Sequence, residues 1–146
     1  MTNIYRMSEK LENGDIEAYY PETHKDAVLG LEQLDELAVN SGWLPLTMKN
    51  GFTKLASAPP EYIILGLMVY FRGCVERTNN LKGVFATMPV GARTKISYLG
   101  GMVLSQRSSG AGASASVYTH TNGDLELLSS SNDAAFWLNG LSYPLI

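Results

Sequence analysis

The chain has 146 residues, of which 45% are hydrophobic, a size and composition that suit one compact domain with an appendage. No apolar run is long enough to span a bilayer and the polar N-terminus does not resemble a secretory signal, so we expect neither membrane insertion nor Sec export. Cys74 is the single cysteine, which excludes an internal disulfide and a thiolate-rich metal site, and we expect no metal or other cofactor.

Charge is distributed unevenly along the chain. Residues 1–42 carry three basic and nine acidic side chains, for a net charge of −6, whereas residues 43–146 carry eight basic and five acidic side chains, for +3. A cationic excess this small does not favour nucleic acid as a partner.

Residues 21–39 have the pattern of a helix. Thr23 is suited to the N-cap and Asp26 follows three residues later, in a weak form of the capping box. An a/d spacing follows at Ala27, Leu31, Leu34 and Ala38. Because this stripe spans less than two heptads, the spacing leaves two interpretations open: a weak parallel coiled coil, or a helix packed on its own domain.

After Trp43 the pattern changes to short apolar runs separated by turn residues. The run EYIILGLMVYFRG predicts one or two buried strands with Gly66 at a bend, and Asn50-Gly51 and Asn122-Gly123 are hairpin turn signals. Further strands are predicted in KGVFATMP, TKISYLGGMVL and AAFWLNGLSYPLI. The Ser-, Gly- and Ala-rich stretch SQRSSGAGASASV is either a flexible loop or a small-residue strand at a close approach between chains.

The predicted fold is therefore mainly β. An N-terminal attachment segment and helical stalk occupy residues 1–42, and an antiparallel β-sandwich or barrel head occupies residues 43–146. We expect Trp43, Leu44 and Leu46 to anchor the first strand of the head against its core.

Short motifs follow one another through residues 20–146. They are Tyr20-Pro21-x-Thr23, Trp43-Leu44-Pro45-Leu46, Pro60-Glu61-Tyr62, Val69-Tyr70-x-Arg72-Gly73, Phe85-Ala86-Thr87-Met88-Pro89-Val90-Gly91-x-Arg93 and Trp137-Leu138-x-Gly140-Leu141-Ser142-Tyr143. In this order and spacing they resemble the β head of tail-fibre and baseplate receptor-binding proteins of phages, notably phages of Gram-positive bacteria. The sequence departs from that family at Thr94, where the family usually has proline.

The resemblance implies a homotrimer on the tail tip of a phage virion or of a phage-tail-like bacteriocin (tailocin). Its stalk would be a trimeric coiled coil, its N-terminal region would bind other tail or baseplate proteins, and its heads would bind bacterial surface saccharide, either cell-wall polysaccharide or teichoic acid. Such a protein is made in the host cytoplasm and released by lysis. The alternative is a purely structural tail component that trimerises and docks neighbouring tail proteins.

The head offers few groups for catalysis. Asp124 and Glu126 share one face of a strand, but beside a hairpin turn such a pair is more typical of a solvated face than of a glycosidase cleft. A nucleophile elbow and a phosphate-binding loop are both missing from the sequence. We therefore expect no enzymatic activity.

Saccharide binding requires aromatic faces and planar polar side chains. Two segments supply them, and the candidates are Tyr118, His120, Asn122 and Asp124 in the hairpin and Asn132 and Asp133 in SNDAAFWLNG, with Trp137 and Asn139 in the same segment. Arg93 and Arg107 are candidates for contacts to the phosphates of a teichoic-acid-like polymer. The resemblance implies that Trp137 lies in the core, because it matches a core position in the closing strand of that family. We expect Tyr70 and Tyr143 in the core or at an interface, and Cys74 as a small buried hydrophobe.

Overall fold

The regular structure of the described residues consists of β-strands and a turn of 3-10 helix, Val90–Ala92. The computed structural model describes residues 7–10, 16–19, 38–96, 99–107 and 112–146, and the chain divides into two compact units, Met1–Asp35 and Glu36–Ile146. The strands are β1 Met7–Lys10, β2 Ile16–Tyr19, β3 Leu44–Pro45, β4 Thr53–Lys54, β5 Glu61–Leu65, β6 Met68–Arg72, β7 Cys74–Glu76, β8 Gly83–Thr87, β9 Leu99–Ser105, β10 Ser114–Thr119, β11 Asp124–Ser130, β12 Phe136–Trp137 and β13 Ser142–Pro144.

In the first unit, β1 and β2 form an antiparallel hairpin whose register runs from Met7 opposite Tyr19 to Lys10 opposite Ile16. The sequence did not predict this hairpin. Most of the predicted helix, including Ala27, Leu31 and Leu34 of the predicted stalk, lies outside the described residues. Ala38, the last residue of that stripe, is exposed in a turn, so the helix does not extend to it as predicted.

The second unit contains three antiparallel sheets. Their strand orders are β8-β11-β10-β9, β12-β7-β4 and β13-β6-β5-β3. We call them the hairpin sheet, the three-stranded sheet and the Tyr62 sheet. This arrangement fits a β-sandwich, and the prediction of a mainly β, antiparallel head is confirmed. In the described part of the chain, no helical segment has the length and apolar character needed to cross a bilayer.

Aromatic rings from all three sheets meet in one core. Phe85 of the hairpin sheet packs edge-on against Phe136 of the three-stranded sheet, with ring centroids 5.3 Å apart, and also contacts Phe52. Phe71 and Tyr143 of the Tyr62 sheet lie 5.6 Å apart. All five rings are buried and belong to one hydrophobic core that joins the three sheets.

Both turn signals form turns, but only Asn122-Gly123 forms the predicted hairpin, because the strands that flank Asn50-Gly51, β3 and β4, belong to different sheets. Asn50 and Gly51 both have positive φ, as in the type I′ turn that this dipeptide favours. At the second signal only Gly123 is left-handed (φ +94°), and the Gly123 N–H donates to the His120 carbonyl at 2.9 Å. The run EYIILGLMVYFRG forms two strands, β5 and β6, with Gly66 in the turn between them.

The structure shows the conformation of the small-residue stretch and of the segment around Thr94. The small-residue stretch is partly a strand, because Ser114–Thr119 forms β10 at the centre of the hairpin sheet. Thr94 is buried, and its hydroxyl accepts a hydrogen bond from the Ile96 N–H at 3.1 Å. The hydroxyl thereby forms the kind of local turn that Ser and Thr side chains favour.

The packing expectation for the first strand was wrong in part. Leu46 is buried in the core as predicted, but Trp43 and Leu44 are 38% and 36% exposed and do not anchor the first strand there. Tyr143 is buried, whereas Tyr70 is 40% exposed on the outer face of the Tyr62 sheet, so that its position at an interface stays a prediction. Cys74 is buried, as predicted.

Candidate functional site

The Asn122-Gly123 hairpin brings several predicted residues together on the outer face of the hairpin sheet. Tyr118 and His120 lie on one face with their ring centroids 6.5 Å apart, and Tyr118 pairs across the sheet with Glu126. The Tyr118 ring covers Gly101, where a Cβ would lie 2.5 Å from the ring. His120 Nε2 lies 2.8 Å from Glu126 Oε2, so the imidazole is already paired with a carboxylate.

Asp124 is held by a network that sequence reasoning did not foresee. Its Oδ1 accepts hydrogen bonds from the Thr87 hydroxyl at 2.5 Å and from Lys49 Nζ at 3.1 Å, and its Oδ2 accepts one from Asn122 Nδ2 at 2.8 Å. The bond from Thr87, followed by those from Lys49 and Asn122, lowers the pKa of Asp124 below its ordinary value. We call Tyr118, His120, Asn122, Asp124 and Glu126 the hairpin cluster.

Arg93 lies beside this hairpin but works on the turn before it. Its Nε donates to the Met88 carbonyl at 3.0 Å, and its side chain packs under Gly123, where a Cβ would lie 2.8 Å from Nε. A Cβ at Gly123 would also lie 2.7 Å from the Met88 carbonyl oxygen, so close approach explains why glycine occupies the turn as much as its φ does. Arg93 also lines a cavity of about 420 Å³ with Tyr62 and Thr87.

The other predicted segment is organised by Arg77, which the sequence did not single out. Its guanidinium is 8% exposed and donates to the Leu81 carbonyl at 2.9 Å and the Ala134 carbonyl at 3.1 Å. It also donates to Ser130 Oγ at 2.8 Å and to the Asn132 carbonyl. Burial lowers the pKa of Arg77, and the negative charge of Asp133 partly opposes that shift.

Gln106 holds the same loop from the other side. Its amide nitrogen donates to the carbonyls of Asn132 and Ala134, at 3.1 and 3.0 Å, and its oxygen accepts from the Asn132 N–H at 3.2 Å. The Asn132 side chain accepts from the Ala134 N–H at 2.9 Å and forms the turn. Asn132 is therefore a turn former in this structure, with its polar groups directed to the loop itself.

Arg107 and Asp133, both predicted, meet in one cavity. It measures about 470 Å³ and is lined by polar side chains that include Thr53, Glu76 and Thr78. Arg107 is exposed, and its Nη1 lies 3.4 Å from Glu76 Oε1. We call this the Arg107 cavity.

A second cavity was only partly foreseen. It measures about 430 Å³. The residues that line it include Trp137, Asn139, Arg72, Glu61, Ser57, Pro59 and Gly73. Trp137 is half-buried and not a core residue as expected, because Phe136 beside it takes the inward position. We call this the Trp137 cavity.

Both cavities open on one face of the three-stranded sheet. Trp137 pairs across the sheet with Cys74, and Thr53 pairs with Glu76. Because Cys74 and Glu76 are two residues apart on β7, all four side chains share a face. The Trp137 cavity lies at the Cys74 end of this face and the Arg107 cavity at the Glu76 end.

The outer face of the Tyr62 sheet is unusually apolar. Ile63 is 7% exposed although it does not belong to the core cluster, and Leu65 and Tyr70 beside it are 41% and 40% exposed. Trp43 lies at the same face under Arg72, whose Cζ is 4.1 Å from the centroid of the indole ring. We call these residues the apolar face.

The predicted candidates thus fall into separate places. Four of them meet in the hairpin cluster, Arg107 and Asp133 meet in the Arg107 cavity, and Asn132 and Arg93 serve their own turns. Arg72 and Glu61 were missed as site residues. A signal was available, since they flank a predicted hairpin on the same strand face as Trp43. Among the described residues, no cluster of His, Cys, Asp and Glu side chains is suited to hold a metal ion.

Comparison with known proteins gives a fold relation. The crystal structure of the receptor binding protein (gp15) of Listeria phage PSA superposes with a TM-score of 0.65 and 24% sequence identity, over 82% of this chain and 73% of that chain. No family model matches the sequence. No curated protein matches it either. At this level of identity the likeness establishes a shared fold.

Proposed function

We propose that the protein is a receptor-binding protein of a phage tail, which recognises a saccharide of the host cell surface during adsorption. One observation carries the proposal: the chain shares its fold, over most of its length, with the receptor binding protein of Listeria phage PSA. The sequence motifs independently resemble the same class of head domain. On this proposal the protein is part of the virion tail tip, or of a phage-tail-like bacteriocin.

The assembly proposed with this function is a homotrimer, whose N-terminal region binds neighbouring tail or baseplate proteins. The apolar face supports association, because Leu65 and Tyr70 leave apolar surface in water that a second copy would cover. The strand edges of a small head also favour association, since unpaired backbone groups invite other chains.

Cell-wall capture tests the function. The full-length protein, tagged at its N-terminus, is incubated with purified walls from a panel of Gram-positive strains and with the same walls stripped of their attached polymers. The proposal predicts capture by some strains and not others, and its loss on stripping. Capture that survives stripping would point to peptidoglycan or protein, and capture by no strain would contradict receptor binding.

The apolar face also favours a second candidate, a structural tail component that docks neighbours and does not touch the host. Docking requires an apolar patch, and Trp43, Ile63, Leu65 and Tyr70 form one. A folded trimer that no wall captures, but that binds an isolated tail protein and loses this binding on Leu65→Asp, would favour this candidate.

We also propose that the protein has no hydrolase activity. Asp124 and Glu126 of the hairpin cluster are both engaged by neighbours, and Glu76, which shares the Arg107 cavity with Asp133, is paired with Arg107. A glycosidase needs one carboxyl group free to protonate the leaving group and another free to act as a nucleophile or base. Release of reducing sugar from cell walls by the wild type, lost in Glu126→Gln, would contradict this.

A further inference from the structure

We infer that the Trp137 cavity is the subsite for an uncharged pyranose ring of the saccharide. This inference rests on the proposed function and assigns its binding chemistry to residues other than the hairpin cluster. A ligand can bind only to polar groups of the head that are not already engaged by other residues.

Most polar groups of the hairpin cluster already form hydrogen bonds or ion pairs within the protein. Asp124 accepts from Thr87, Lys49 and Asn122, and His120 is paired with Glu126. A sugar hydroxyl would have to displace these partners, and its bond to Asp124 would be no stronger than that of the Thr87 hydroxyl which it replaces. The cluster is therefore a poor reader of hydroxyl groups, despite its residue types.

The Trp137 cavity combines an aromatic surface with donors that are still available. Trp137 lines it as a half-buried indole, the kind of face on which sugar C–H groups stack. The Asn139 Oδ1 accepts from the Gly73 N–H at 3.2 Å, which fixes the amide and leaves Nδ2 as a donor. The volume of about 430 Å³ lies within the ~300–1,000 Å³ common for small-molecule sites.

The charges of the cavity cancel, which selects an uncharged ring. Arg72 Nε donates to Glu61 Oε2 at 2.7 Å, and Arg72 Nη2 lies 2.6 Å from the same oxygen. Both contacts use one carboxylate oxygen, so Glu61 Oε1 accepts no bond from any described residue, and Arg72 Nη1 likewise donates to none. A free acceptor and a free donor on a neutral pair suit the two sides of a hydroxyl group.

The cavity is also rigid before any ligand arrives. Gly73 has φ +96°, and a Cβ there would lie 2.2 Å from the Pro59 carbonyl oxygen, so two backbone segments touch at the cavity floor. The Cys74 N–H donates to the Ala58 carbonyl at 2.9 Å, and the Leu138 N–H donates to the Gly73 carbonyl at 2.8 Å. Arg72 lies over the Trp43 ring, with Cζ 4.1 Å from the ring centroid, and is paired with Glu61. Little ordering remains to be done on binding.

The test is an NMR titration of the full-length ¹⁵N-labelled protein with methyl glycosides of glucose, galactose and N-acetylglucosamine, and separately with glycerol 3-phosphate. The chain has two tryptophans, so two indole N–H signals are expected, and Trp43→Phe assigns them. At least one glycoside should shift the Trp137 indole signal saturably. Trp137→Leu should weaken that binding about tenfold.

Two variants separate ligand contact from structure. Asn139→Asp keeps the oxygen that accepts from Gly73 but lacks the amide donor, and should lose affinity while melting as the wild type does. Tyr118→Ala, in the hairpin cluster, should bind as the wild type does. Equal binding by wild type and Asn139→Asp would overturn the inference.

The same variants are assayed for wall capture, so that the subsite and the function fail separately. Wall capture that needs Tyr118 and ignores Trp137 would overturn the subsite and keep the proposed function. Shifts caused only by glycerol 3-phosphate would overturn the uncharged ligand class. No capture by any wall would remove the proposed function itself.

Discussion

Arg77 is the single side chain on which the loop beside the Arg107 cavity most depends. Its guanidinium donates to the carbonyls of Leu81, Asn132 and Ala134, all of which are half-buried residues. Arg77→Ala leaves the Leu81 carbonyl without this donor, whereas the Asn132 and Ala134 carbonyls still accept from Gln106 Nε2. Because water reaches half-buried groups, we take about 1 kcal/mol for the unsatisfied Leu81 carbonyl and about 0.7 kcal/mol for each of the other three hydrogen bonds lost, and expect a loss of about 3 kcal/mol of unfolding free energy.

Urea denaturation followed by tryptophan fluorescence measures this loss. With an m-value of about 1.5 kcal/mol/M, the midpoint should fall by about 2 M urea. Arg77→Lys keeps the charge but not the forked donors, and should recover less than half of the loss. Lys82→Ala, an exposed basic residue of the same segment, is the matched control and should change stability by less than about 0.5 kcal/mol. An Arg77→Ala loss below about 1 kcal/mol would refute the reasoning.

Three further predictions concern the head. Gly73→Ala should prevent folding or destabilise severely, because its Cβ would lie 2.2 Å from a backbone oxygen. Gly83→Ala, at φ +111° with open space around it, should cost only the backbone strain of about 1–3 kcal/mol. Thermal denaturation of both variants measures the difference. Tyr143→Phe should cost about 1–3 kcal/mol in urea, because the buried hydroxyl donates to the Ala92 carbonyl at 2.6 Å; an unchanged midpoint would contradict this. Asp124→Asn should be less stable than the wild type at pH 7, and the stabilities of the two proteins should converge in acid. The reason is that the folded-state pKa of Asp124 lies below its unfolded value. The contribution of Asp124 to stability is therefore present above about pH 4 and is lost as pH falls through the folded pKa. A gap between the two proteins that stays constant from pH 7 to pH 2 would contradict that assignment.

Much of the head could be predicted from local patterns. The alternation in VYTHTNGDLELL gave a hairpin, and the same alternation places Leu125 and Leu127 inside with Asp124 and Glu126 outside. Such patterns are set by neighbours in sequence, which is why they were visible without the structure.

Contacts between distant segments were not visible in the same way. Arg77 meets Asn132 and Ser130 across more than fifty positions, and an arginine in a charged loop gives no sign that it will be buried. Trp43 was expected to pack against the core, yet Arg72 offers it a planar cation at the surface. Trp137 was expected inside because it matches a core position of the family that the sequence resembles, although only one of the two adjacent rings can face the core.

Site chemistry was harder to predict than the fold. Residue types alone marked the hairpin cluster as a saccharide reader, and the strand geometry does bring Tyr118 and His120 together. The sequence does not show which residues hydrogen-bond to this cluster. Lys49 and Thr87 donate to Asp124, and Glu126 is paired with His120. The availability of a polar group depends on tertiary contacts, which composition does not contain.

Calorimetric titration tests most directly whether the head binds a saccharide. The polymer released from a wall that captures the protein is titrated into the full-length wild type, with Trp137→Leu alongside. We predict saturable binding by the wild type and markedly weaker binding by the variant. A wall that captures the protein, but whose released polymers bind neither form, would contradict the claim and place the receptor among other wall components.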